Sequence, residues 1–86
     1  MKRRLLIDSL VLEFVGALPK RDREFLLTRF SAIRDFPSQH ADYRTTDDTG
    51  RELDGHIAGR FAIVFWDDFA DRHVKILGDT RADEVI

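Results

Sequence analysis

Apolar positions follow a helical period through residue 36 and a period of two after residue 40, so the chain divides into a helical part and a sheet part. Leu5-Leu6-Ile7 is a short apolar run that reads as an opening strand. Asp8 and Ser9 behind it supply side chains able to cap a helix. Leu10, Val11, Phe14 and Leu18 recur at helical spacing until Pro19 interrupts them. Lys20 to Phe36 predicts a second amphipathic helix, with Phe25, Leu26, Phe30 and Ile33 on its buried stripe and Arg21, Arg23, Arg29 and Arg34 mostly off it. Pro37 ends this helix, because the residue before proline is pushed out of the α region. So short a link between two helices predicts an antiparallel helical hairpin.

Beyond Ser38-Gln39-His40, Tyr43 to Asp47 reads as a strand, and Asp48-Thr49-Gly50 as a three-residue hairpin loop with glycine at its left-handed position. Leu53, Ile57, Phe61, Ile63 and Phe65 share one parity and therefore one face of an extended chain. Asp54, His56, Arg60, Ala62, Val64 and Trp66 take the other. A strand of about sixteen residues is unusually long, and Gly55 and Gly59 are where it bends or breaks at least cost. The acidic stretch Asp67 to Asp71 reverses the chain, and Val74 and Ile76 return on a last strand. Keeping the apolar set on one side pairs Phe65 with Val74 and Ile63 with Ile76. Trp66 then faces His73, Val64 faces Lys75, and Arg60 lies near Asp79. The expected fold is one α+β domain over residues 1–86: a short N-terminal strand, an α-helical hairpin covering the Phe61/Ile63/Phe65 face, then a curved antiparallel sheet. Its open face would carry His56, Arg60, Trp66, His73 and Lys75.

Composition narrows the class. With 86 residues, 43% hydrophobic and 35% charged, the chain fits one soluble domain that buries roughly 64% of its unfolded surface. The absence of cysteine removes disulfides, thiolate metal sites and thiol nucleophiles. No apolar run is long enough to span a bilayer or to form the core of a signal peptide, so no membrane role and a cytoplasmic location are expected. Residues 1–37 hold eight Lys/Arg against five Asp/Glu, a net +3, and residues 38–86 hold six against eleven, a net −5. Without a broad basic excess, any contact with nucleic acid must rest on a local patch. Asp67, Asp68 and Asp71 lack the ligand spacing of a calcium site, and His40, His56 and His73 lack that of a zinc site, so no metal or cofactor is expected.

The order of elements carries a family resemblance, together with Leu18-Pro19-Lys20-Arg21-Asp22-Arg23, Gly50-Arg51-Glu52-Leu53-Asp54-Gly55, Gly59-Arg60-Phe61-Ala62-Ile63-Val64-Phe65-Trp66 and Val74-Lys75-Ile76-Leu77. Over nearly its whole length the chain resembles the RelE/ParE toxin superfamily of bacterial type II toxin–antitoxin modules. The resemblance implies a curved sheet packed on an α-hairpin and a cognate antitoxin that wraps the toxin. It leaves three activities open: ribosome-dependent cleavage of mRNA, as in RelE-like members; inhibition of DNA gyrase without nuclease chemistry, as in ParE-like members; and a non-toxic interaction module.

Cleavage needs cations to stabilise charge on the scissile phosphate, a base for the 2′-hydroxyl and an acid for the leaving oxygen. Arg60 falls where the family often carries a central-strand arginine, and Arg81 resembles the arginine near the family's C-terminus. Lys75 is expected on the face of Arg60, and His56 or His73 is the candidate base. The C-terminal tyrosine of many ribosome-dependent members is missing, and the one tyrosine, Tyr43, belongs to the first hairpin. Each candidate also has a plain structural explanation: an ion pair of Arg60 with Asp79, solvated strand histidines, an edge-strand lysine and a partly buried Trp66.

Overall fold

The computed structural model describes residues 3–81 and runs strand, helix, helix, sheet. Strand β1 (Arg4–Ile7) leads into helix α1 (Ser9–Gly16), and helix α2 (Lys20–Asp35) is followed by a 3-10 turn at Pro37–His40. Strands β2 (Tyr43–Thr46), β3 (Glu52–Ala58), β4 (Phe61–Asp68) and β5 (His73–Arg81) complete one five-stranded sheet in the order β1-β5-β4-β3-β2. The last four strands form an antiparallel meander, and β1 joins β5 in parallel, so the sheet is mixed where an antiparallel one was expected.

Helix α1 starts at the expected cap. The Asp8 carboxylate accepts the Leu10 amide at 2.9 Å and satisfies a donor that the helix start leaves unpaired. Asp8→Ala should therefore lower stability by about 1 kcal/mol, read as a shift in urea midpoint at constant slope.

Both helices pack on one sheet face. Val11 and Val15 from α1, Leu18 from the link between the helices, and Leu26, Phe30 and Ile33 from α2 meet Ala58, Phe61, Ile63, Phe65, Val74 and Ile76. Phe14 packs against this core, its ring edge-on to Phe61 at a centroid distance of 6.3 Å. Two positions assigned to buried stripes lie outside: Leu10 is 72% exposed and Phe25 37%. Helix α1 turns Val11 and Val15 inward, leaving Leu10 to solvent, and α2 seats Leu26 rather than Phe25.

Two further departures decide the site. The long strand breaks at Gly59 into a hairpin whose loop is Gly59-Arg60, with Ala58 opposite Phe61. Gly59 has a φ of 59° while Arg60 does not take a positive φ, which is the pattern of a two-residue II′ turn. Folding back after an even number of loop residues sets Asp54, His56 and Ala58 opposite Phe65, Ile63 and Phe61. His56 thus lies on the helix-packed side, and Ile57, expected on the same face as Phe61, lies on the other and is exposed.

The β4–β5 pairing also differs, with Phe65 opposite Ile76, Trp66 opposite Lys75 and Asp68 opposite His73. A displacement of two residues keeps side-chain parity, so the apolar set stays inward despite the changed register. Past Phe65 the ladder shifts again. Val64 faces Gly78, which leaves Leu77 as the extra residue of a bulge, and Asp79 lies opposite Ile63, away from Arg60.

Candidate functional site

The sheet face free of helices carries an aromatic ring flanked by cations. Trp66, at the middle of the sheet on β4, lies between two cations: the Arg51 guanidinium is 4.4 Å and the Lys75 ammonium 4.7 Å from its ring. With Arg51 exposed and Lys75 partly buried, cation–π contacts of this kind contribute about 0.5–1 kcal/mol each. Lys75 also donates to Asp68 at 3.1 Å, and Arg51 pairs with Asp47 at 3.6 Å. Burial favours the neutral form of Asp68, but the Lys75 ammonium and the Asp71 amide outweigh it and hold the carboxyl below its ordinary value. Tyr43 completes the face from β2, its ring lying over Gly55.

The five candidates from the sequence do not meet at one point. Lys75 and His73 share this face beside Asp68. Arg60 sits at the β3–β4 turn, where its guanidinium donates to Asp22 of α2 at 2.5 Å across a groove of 460 Å³ lined by Pro19, Phe25 and Phe61. Arg81 pairs through its backbone with Phe61, so it lies at that same end of the sheet; its side chain falls outside the described residues. Seven residue steps along β4, from Phe61 to Asp68, separate this end from His73, about 24 Å at ordinary strand rise.

His56 is 7% exposed on the opposite face. Its Nδ1 donates to Asp42 at 2.8 Å, the His40 ring stands edge-on at 4.9 Å, and its Nε2 is buried without a partner. Burial, opposed by Asp42, pushes the His56 imidazole below its usual value. The Asp42 carboxyl is itself held low, first by the Ile57 amide and then by His56.

Arg51, Tyr43, Asp68 and Asp42 are partners that the sequence reading left out of the site. Arg51 shares parity with Leu53, which the unbroken strand set opposite Trp66; only the Gly59-Arg60 turn brings the two onto one face. The others needed the strand register. Among the described residues, no group of three or more His, Cys, Asp or Glu side chains is placed to hold a metal ion, and no helix is long and apolar enough to cross a membrane.

Comparison with solved structures defines the class of this architecture. It is the RelE fold: a chain from the archaeal RelE–RelB complex of Pyrococcus horikoshii OT3 matches with a TM-score of 0.79, covering 99% of this chain and 100% of that one. Sequence identity is 17%, so the likeness is one of fold. No protein-family model matches the sequence, and no curated protein does either.

Proposed function

We propose that this protein is the toxin of a two-component toxin–antitoxin module and that its helix-free sheet face engages mRNA on the ribosome. The observation that carries this reading is the RelE fold with Trp66, Arg51 and Lys75 clustered on that face. An indole offers a stacking surface to an unpaired base, and flanking cations suit the adjacent phosphates. In this reading Lys75 stabilises charge on the scissile phosphate and His73 is the nearest imidazole to serve as base. Arg60 and Arg81, at the far end of the sheet, hold RNA backbone. His56, buried on the helix side, has a structural role. The second component is a cognate antitoxin, in keeping with the complex from which the matching chain comes.

A second reading, ParE-like inhibition of DNA gyrase by protein contact, is favoured by the carboxylates beside the cations. Asp68 on Lys75, Asp47 on Arg51 and Asp22 on Arg60 each compete with phosphate. Primer extension on translated mRNA, run beside a gyrase supercoiling assay, separates the two. Cleavage by the wild-type protein, reduced about 10²–10³-fold in Lys75→Ala with its melting temperature little changed, supports the nuclease. Inhibited supercoiling without cleavage supports the gyrase reading, and silence in both leaves a non-toxic interaction module. Co-purification of the product of the adjacent gene checks the antitoxin.

A further inference from the structure

The connection between α2 and β2 is fastened to β3 by side chains. Strand β2 begins at Tyr43 opposite Gly55, so the ladder has no further backbone rung for the Ile57 amide. Asp42 fills that place. Its carboxylate accepts the Ile57 amide at 2.9 Å and His56 Nδ1 at 2.8 Å, while its own amide donates to the Gly55 carbonyl at 2.8 Å. His40 packs its ring against His56 and donates from Nδ1 to the Phe36 carbonyl at 2.8 Å, which ties the end of α2 to the same cluster. A carboxylate and a carbonyl only accept, so both imidazoles carry a proton on Nδ1 in this arrangement.

We propose that His56, Asp42 and His40 form an acid-released latch that holds the α2–β2 connection against β3. Three ionisable groups surround His56: Asp42 from the connection, His40 from the 3-10 turn and Arg29 from α2; its neighbour on β4, Ile63, is apolar. Protonation places a second N–H at Nε2, where the buried site holds no acceptor, and adds positive charge beside Arg29 and the His40 ring. Asp42 offsets part of this cost, but burial outweighs it, because the His56 imidazole is held below its usual value. A group with a depressed folded-state value favours the folded form above its unfolded pKa, near 6.5, and that stability is lost as pH falls through the folded value. Asp42 acts in the same direction in a separate window below pH 4, since its own value is lowered from 3.8.

The latch adjoins the helix-free face. Tyr43 directly follows Asp42 and lies on Gly55, so release of the connection loosens one aromatic wall of that face. The inference itself stands on the cluster and is independent of what the face binds.

Amide exchange followed residue by residue by NMR tests it on the full chain. Between pH 7.5 and pH 5.0 the protection factor of the Ile57 amide, corrected for intrinsic exchange, should fall about tenfold or more, while Ile63 and Phe65 on β4 hold theirs. His56→Gln should flatten the Ile57 response. If that variant fails to fold, the wild-type contrast between Ile57 and β4 still decides. Equal Ile57 protection at both pH values, or a uniform loss across β3, β4 and β5, overturns the latch.

Discussion

Ile63→Ala should destabilise the protein by about 2–5 kcal/mol, read as a lower denaturant midpoint at unchanged slope. Ile63 is fully buried on the central strand, opposite His56 on one side and Asp79 on the other. It belongs to the layer that Leu26, Phe30 and Ile33 of α2 cover. Truncation to alanine forfeits the transfer free energy of three carbons and leaves a cavity that the surrounding strands relax into only in part. Small domains are marginally stable, typically by 5–15 kcal/mol, so the upper end of this range approaches global unfolding. A loss under 1 kcal/mol would mean that the helix layer does not seal this strand.

Gly55→Ala should cost about 1–3 kcal/mol and displace Tyr43. A Cβ built on Gly55 falls 2.0 Å from Cζ of Tyr43 and 2.3–2.4 Å from both Cε atoms, so the phenol end of the ring occupies the place of the missing side chain. An aromatic residue covering a cross-strand glycine is a stabilising device in sheets, and it explains a glycine inside β3 without any demand on φ. The variant forces the ring off the sheet. The measurement is a denaturant titration with NMR shifts of the Tyr43 ring protons: unchanged shifts with unchanged stability would show that the ring does not rest there. Gly55→Ala combined with Tyr43→Ala should recover part of the loss, because the second change removes the clash.

Much of the fold was legible in the sequence because periodicity is written in every residue. Asp8 as a cap, Pro19 and Pro37 as breaks, and the parity of Phe61, Ile63 and Phe65 all express local rules that the structure obeys. Parity alone does not count the residues in a turn. One long strand and two strands joined by Gly59-Arg60 assign Phe61 to the same face but send His56 and Ile57 to opposite ones.

The same limit applied to the β4–β5 register. Pairings two residues apart bury identical apolar sets, and the choice between them depends on the length of the reversing turn and on the bulge at Leu77. Trp66 was therefore recognised as a surface aromatic, while its cations, Arg51 and Lys75, emerge only with the register. Arg60 illustrates a different gap. Its partner, Asp22, lies 38 residues away on a helix, a separation that no local pattern encodes.

The parallel pairing of β1 with β5 sets the order in which the molecule can assemble. Arg4 aligns with His73 and Ile7 with Ile76, so the first strand of the chain waits for nearly the last to exist. A hairpin can form from local contacts soon after its residues leave the ribosome, whereas this pairing must close a loop of 69 positions before it gains a single rung. Until β5 has been made, β1 therefore has no strand to pair with, and the floor under α1 and α2 lacks Val74 and Ile76. The complete core, and the Lys75 contact with Trp66, come into being only once β5 is in place, so the last strand of the sheet closes both the core and the helix-free face.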